Sequence, residues 1–345
     1  MCPRTKDAVS ATLQSVAAYA GVSTSTASRA LSGHAGVLPS TRARVQAAAA
    51  ALHYQPNLTA SALRTRRSGL LGLVMDNLRT ATFHTIAETL QAWAAQHEYQ
   101  VLVCTTGGDP AREAAFLQTV RAHHFDGVVV TGPGANTELL NALVTEGRAV
   151  VTLNREAPGS LAPSVMSAYE EAARLATEHL LGLGHTRIAA IEGPPDTPSG
   201  RLHHTGFTAA MAAAGAQVEA ALVHRGPFTR EFGRQAATAV LGLPRPPTAL
   251  LVSNPAASFG VLPVLTDRGR RVPDQLSVIC TEDETVYEWW NPPLTTVDSW
   301  AEALAQRAAA ALLAQLTGAE SACPVRPAEL VEPVLVERGS TARLR

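Results

Sequence analysis

The chain has 345 residues, enough for two or three domains with a sizeable core. Apolar residues make up 46% and charged ones 17%, ordinary globular values that exclude wholesale disorder. No apolar run reaches the roughly 18–20 residues that span a bilayer. The opening MCPRTKDAVSATLQ also lacks the apolar stretch of a secretory signal. A cytoplasmic protein with no membrane partner is therefore expected. Cys2, Cys104, Cys280 and Cys323 lie far apart, which fits neither a disulfide framework nor a C-x-x-C metal site.

The net charge of −1 is unevenly distributed. Residues 1–68 hold Arg4, Lys6, Arg29, Arg42, Arg44, Arg64, Arg66 and Arg67 against one acid, Asp7. The rest of the chain is acidic. A small cationic head on an anionic body points to a polyanionic partner for the head alone.

Within the head, Thr12 is placed to cap a helix over LQSVAAYA, with Leu13, Val16, Ala17 and Ala20 on one face. Gly21 breaks that helix where a left-handed residue is cheap. Ser23 then caps a second helix, TSTASRAL, with Ala27, Ala30 and Leu31 facing inward. A third runs from about Thr41 to His53. Helix, short glycine turn, helix and supporting helix is the layout of a helix-turn-helix unit. Its second helix presents Thr24, Ser25 and Thr26, with Arg29 one turn later. No bulky group blocks entry to a major groove, and hydroxyls with a guanidinium can reach base edges.

The text that continues from this unit closely resembles the lactose-repressor (LacI/GalR) family. The matching elements are T-L-x-x-V-A-x-x-A-G-V-S-x-x-T-x-S-R, then T-R-x-x-V, then L-x-Y-x-P-N-x-x-A-x-x-L-R. Ser15 stands where the family usually has Asp, and a serine still serves the first helical turn. The resemblance implies that PNLTASALRT is a hinge helix ordered when two chains pair on an operator. Leu63 would then be the wedge entering the minor groove, with Ala60 packed nearby and Asn57 and Arg64 at the backbone or groove. An apolar wedge partly unstacks a base step at a cost of roughly a few kcal/mol, offset by closer contact around the kinked duplex. Helices of this length are marginal alone in water, which couples hinge formation to dimer geometry.

From residue 69 the pattern becomes short β-rich runs separated by helical segments. Strands are predicted at 70–75, 99–106, 126–132, 149–154, 187–193, 248–254 and 275–282, with a last one in PVLVER. Helices are predicted at 83–97, 110–122, 136–146, 170–183, 201–214, 231–241 and 256–268. Such alternation means parallel sheets with buried strands and a ligand crevice at the strand C-termini. ARLATEHLLGLGHTRIAAIEG, PTALLVSN, VPDQLSV and NPPLTTV extend the family resemblance through the body. The implied architecture is an all-α helix-turn-helix head plus an α/β bilobal, periplasmic-binding-protein-like body of two doubly wound parallel-sheet lobes. The divisions are 1–56 for the head, 57–68 for the hinge helix and linker, and 69–345 for the effector-binding and dimerisation body. Lobe one takes about 69–167 and 298–325, and lobe two about 168–297 and 326–340.

By the same resemblance a small effector sits between the lobes. The aligned positions are Phe83 as an apolar platform, Asn154 and Arg155 on the first-lobe rim, Tyr169, His203, Asn254 and Glu282. Several depart from the family pattern. His203 replaces an Arg, Ala168 and Tyr169 replace an Asp-Asn pair, and Cys280-Thr281-Glu282-Asp283 replaces G-F-D-D. Losing Arg and Asp contacts makes a common hexose a poorer ligand. A bulkier, more apolar or anionic one, read by His203, Tyr169 and Trp289 or Trp290, fits equally well.

No catalytic residue is assigned. Gly132-Pro133-Gly134 lacks the full dinucleotide pattern, and GVSTS ends in Ser25 rather than the glycine of a nucleophile elbow. His123-His124 and His203-His204 are adjacent pairs that point apart on a helix, so neither metal nor cofactor is expected. The reading is a homodimeric transcriptional regulator of repressor type, not an enzyme. It binds a near-palindromic double-stranded operator under control of a small metabolite such as a sugar. The competing readings are a solute-binding receptor without a DNA role and an effector-independent regulator.

Overall fold

The structure, a computed structural model, describes residues 11–32, 34–54, 67–131, 134–155, 159–318 and 328–344. The chain divides into two compact units, Met1–Ser68 and Gly69–Arg345.

The first unit holds α1 (Leu13–Tyr19), α2 (Thr24–Leu31) and α3 (Pro39–Ala51). Thr12 caps α1 through a reciprocal box: Ser15 N donates to Thr12 Oγ1 at 3.2 Å and Thr12 N to Ser15 Oγ at 2.8 Å. Serine thus does at this position what the first turn requires. Gly21 adopts φ +62, the left-handed turn between α1 and α2. Val16, Ala17, Ala27, Ala30, Val45 and Ala48 form the buried centre, with Leu13, Val22, Leu52 and Tyr54 packed around it. The hinge positions Asn57, Ala60, Leu63 and Arg64 lie outside the described residues.

The body opens with β1 (Leu70–Met75), α4 (Ala81–Gln96), β2 (Gln100–Thr105), α5 (Pro110–Ala122), β3 (Gly127–Val130), α6 (Thr137–Thr145), β4 (Ala149–Leu153) and β5 (Ser164–Ser167). It continues with α7 (Tyr169–Gly182), β6 (Ile188–Glu192), α8 (Pro198–Ala213), β7 (Val223–Arg225), α9 (Arg230–Leu241), β8 (Ala249–Val252), α10 (Pro255–Asp267), β9 (Ser277–Thr281) and α11 (Thr285–Trp289). The last elements are β10 (Thr295–Asp298), α12 (Ala301–Leu316), β11 (Glu329–Val331) and β12 (Val334–Val336). Two six-stranded sheets result, ordered β11-β5-β4-β3-β1-β2 and β12-β10-β9-β8-β6-β7. All pairings are parallel except β10 with β12.

Helices cover both faces of each sheet, so the central strands are apolar throughout. In the first lobe Ile86 and Leu90 of α4 and Leu304 and Leu312 of α12 cover one face, while Leu117, Leu140 and Leu143 cover the other. In the second, α7 and α8 supply Leu180, Phe207 and Met211 to one face, and α9 and α10 supply Val240 and Leu265 to the other. The paired helices approach closely at glycines. A Cβ on Gly206 would collide with the Glu170 carbonyl, and one on Gly260 with that of Arg230.

The structure differs at one boundary: residues 326–340 do not all belong to lobe two, since β11 pairs with β5 and extends the first sheet, and only β12 joins the second. The chain therefore passes between lobes at Ala168, after Asp298 and after Val331. Only the second of these strands falls in the predicted PVLVER, and Pro333, which cannot continue a ladder, separates the two.

Candidate nucleic-acid interface and ligand cleft

In the first unit α2 turns Ala27 and Ala30 inward, leaving Thr24, Ser25 and Arg29 exposed and Thr26 half-buried. Ser23 organises the start of this helix. Its Oγ accepts from Thr26 N at 3.1 Å and lies 2.9 Å from Ser25 Oγ and 2.8 Å from Thr26 Oγ1. The four residues expected to reach DNA thus form one small polar face. Thr24 and Arg29 stand clear, while the Ser25 and Thr26 hydroxyls are oriented by the cap. The open amide end of α2 suits an anionic phosphate as well.

In the body, the helices that follow β2, β6 and β8 start with a capping side chain and proline. Asp109, Thr197 and Asn254 each accept a backbone N–H, and Pro110, Pro198 and Pro255 follow. This sequence device brings helix N-termini and polar caps to the C-terminal edges of both sheets. The two edges meet at the start of α4. Thr80 gives α4 no side-chain cap, and the other lobe supplies the missing acceptors. Ala81 N donates to Glu284 Oε1 at 2.8 Å, and Thr82 Oγ1 donates to Glu282 Oε2 at 2.6 Å.

Around this junction four of the seven expected positions come together. Phe83 sits on α4 beside Thr82. Glu282 has φ +64, which turns its carboxyl off the end of β9. Burial pushes its pKa up to about 7, against the Thr82 hydrogen bond and helped by Glu284 and Asp298. Tyr169 is buried at the start of α7, its phenol pushed up by burial and by the charge of Glu282. Its ring centroid lies 5.2 Å from that of His203. His203 is 2% exposed, and neither ring nitrogen has a hydrogen-bond partner of good geometry. Burial pushes it down to about 4, with the Ser199 carbonyl opposing, so the imidazole is neutral.

The other three positions make framework bonds, and the Asn254 side chain keeps one group that its framework bond does not use. Asn154, at φ +50, accepts Ser167 N at 2.7 Å and ties the end of β4 to β5. Asn254 caps α10 by accepting Ala257 N at 2.8 Å, and its Nδ2 remains buried without a partner. Arg155 corrects the expectation of a rim residue. It is 2% exposed and paired with Glu113 of α5 at 3.0 Å, beneath the edge. Asp76 lies near this pair, its carboxyl pushed up by burial.

Sequence reasoning missed Thr82, Glu284 and Glu192. The last is fully buried at the end of β6, where His204 Nδ1 lies at 2.8 Å and Arg225 Nε at 3.6 Å. The acidic run Glu282-Asp283-Glu284 was the available signal for a second clamp. Trp289 is 77% exposed on α11, and Trp290 packs against the second-lobe core. Among the described residues no group of three or more His, Cys, Asp or Glu side chains is arranged to hold a metal. Likewise, no helix there is long and apolar enough to cross a membrane.

Comparison with known proteins agrees with this geometry. Residues 12–57 match the model for bacterial regulatory proteins of the lacI family, and residues 177–341 that for a periplasmic binding protein-like domain. The chain is 30% identical over 342 residues to the HTH-type transcriptional repressor CytR of Escherichia coli (strain K12), covering 98% of each. It is similar in structure to the Lac repressor dimer bound to operator and the anti-inducer ONPF. There the TM-score is 0.82 at 28% identity, covering 96% of this chain and 99% of that one. The transcriptional regulator CelR in complex with cellobiose matches with a TM-score of 0.71 at 28% identity, with the same coverage.

Proposed function

The chain belongs to the LacI family of bacterial regulatory proteins, and we propose a division of labour among its residues on that premise. The protein is a DNA-binding transcription regulator of repressor type, a homodimer that reads operator DNA and responds to a small-molecule effector. Thr24, Ser25, Thr26 and Arg29 read base edges in each half-site. Asn57, Ala60, Leu63 and Arg64 form the hinge segment that engages the centre of the operator. Phe83, Tyr169, His203, Asn254 and Glu282, joined by Thr82, surround the effector, with Asn154 holding the strand ends in place. The protein acts in the cytoplasm and carries out no catalysis.

One observation carries the effector reading: the lobes are joined at the strand edges by Thr82–Glu282 and Ala81–Glu284, and Glu282 acts on the buried Tyr169, whose ring packs against the buried His203. A ligand entering there competes with the bonds that set the lobe geometry. That competition is a coupling free energy, typically about 1–3 kcal/mol, and it is reciprocal between ligand and DNA. The test is footprinting of the full chain on its own upstream DNA, with and without fractionated metabolites. Protection of a two-fold symmetric site that one fraction alters supports the reading. Protection that no fraction alters refutes the effector role.

A further inference from the structure

The charges around the cleft define which ligand it accepts, given that it is the effector site. Three arginines near it are already paired with acids. Arg155 pairs with Glu113 at 3.0 Å, Arg225 lies beside Glu192 at 3.6 Å, and Arg338 grips Asp283 at 2.9 and 2.6 Å. His203, which replaces the family arginine, is neutral. Three carboxylates have weaker company. Glu282 is met by the Thr82 hydroxyl, Glu284 by the Ala81 amide with His84 nearby, and Asp298 by the Trp300 amide at 3.2 Å. Burial raises all three.

A second observation marks this edge as a place built for a ligand. Val252 of β8 is in register with Cys280 of β9, which sets Asn254 level with Glu282. Asn254 Nδ2 and Thr281 Oγ1 are polar atoms buried here without partners, and the His203 nitrogens have at most a poorly aligned bond to the Ser199 carbonyl, on residues 6%, 0% and 2% exposed. Buried polar atoms are nearly always satisfied in a folded protein, and each unpaired one costs about 1–3 kcal/mol. A ligand in contact with them removes that cost.

We propose that the effector carries a protonated nitrogen, an organic ammonium or amidinium, which Glu282 and Glu284 receive in place of Thr82 and Ala81. A hydroxyl or amide offers these carboxylates one neutral hydrogen bond. A cation offers charge-assisted bonds, which are roughly twice as strong, where water screening is weak. A carboxylate or phosphate group would instead be set against these acids, while Arg155, Arg225 and Arg338 are already held by acids of their own. The acidic clamp thus selects the class of effector and, by exchanging partners, releases α4 from the opposite lobe. The inference rests on the effector reading above.

The test titrates benzylamine, benzyl alcohol and benzoate into the full chain at neutral pH by calorimetry. All three have the same ring for the Phe83 platform and differ in head group. Benzylamine is expected to bind at least about tenfold more tightly than benzyl alcohol, a difference of roughly 1.4 kcal/mol. No binding of benzoate is expected. Glu282→Gln is expected to abolish the preference for the amine. Glu284→Gln, expected to weaken it, serves should the first variant unfold. Benzoate binding as well as benzylamine, no discrimination among the three, or a preference unchanged in both variants would overturn the proposal. Operator anisotropy with benzylamine separates the two readings. Amine binding without any change in operator affinity contradicts the effector role and leaves the ligand class standing. A preference for benzoate that does alter operator affinity does the reverse.

Discussion

Arg155 and Glu113 form an ion pair of 3.0 Å in which the two side chains are only 1% and 0% exposed. Asn136 Nδ2 donates to the same carboxylate oxygen at 3.0 Å, so the end of β4, the start of α5 and the start of α6 are joined at one buried point. Taking two charges out of water is expensive, and their attraction restores that loss only while both are present.

Removing one partner is therefore the severe change. Glu113→Ala is expected to destabilise the body by about 3–5 kcal/mol, because it strands a buried guanidinium. Replacing both, Glu113→Leu with Arg155→Met, should cost much less or nothing. Urea unfolding of the full chain measures each. A double variant as damaged as the single one would contradict the pairing.

Two shifted groups give stability opposite pH slopes. Glu282 is raised from 4.5 to about 7, so the native state holds a proton that the unfolded chain has released between those values. Its contribution is full below 4.5 and is lost as pH rises through 7. Glu284 and Asp298, also raised, act with the same sign. His203 is lowered from 6.5 to about 4, so its contribution is present above 6.5 and is lost as pH falls toward 4. Below 6.5 the effects oppose; above it the acids act alone. The thermal midpoint of the full chain should fall as pH rises from 6.5 through 7, and Glu282→Gln should flatten that limb. His203→Phe should reduce the loss on the acid side, to which His179 and His185, also lowered by burial, contribute, while leaving the neutral limb. A wild-type midpoint that rises from 6.5 through 7 would contradict the burial of Glu282.

On the DNA side, Arg29→Ala should relax base preference at one position of each half-site and cost roughly 1–3 kcal/mol. The check is affinity across single-base operator variants. If their ranking is unchanged, Arg29 contacts phosphate rather than a base.

Leu63→Ala should weaken operator binding strongly and leave ligand binding to the body intact. Loss of both would mean that Leu63 supports the fold, and unchanged operator affinity would remove it from the DNA centre.

The head and the sheet layout were legible because local rules govern them. Thr12, Gly21 and Ser23 mark helix ends by cap and turn chemistry, and buried parallel strands such as GVVV and ALLV are apolar throughout. The short strands at 164–167, 223–225 and 329–331 were not legible, since three or four residues carry no period and depend on a neighbour already in place. The cleft was legible only in part. Tyr169, His203 and Glu282 lie at strand ends or helix starts, where family position predicts placement. Arg155 was misplaced because its partner Glu113 is 42 residues away in sequence. Thr82 and Glu284 were missed because each acquires its role only from the opposite lobe, a pairing about 200 residues apart that no local pattern encodes.

The most direct test is fluorescence anisotropy of the full chain on DNA from its own upstream region, compared with scrambled DNA at several salt concentrations. The account predicts selective binding to the native fragment that weakens steeply with salt. Each phosphate neutralised should contribute roughly −0.9 to the log–log slope. Equal, weak binding to both DNAs at every salt concentration would contradict a sequence-reading head.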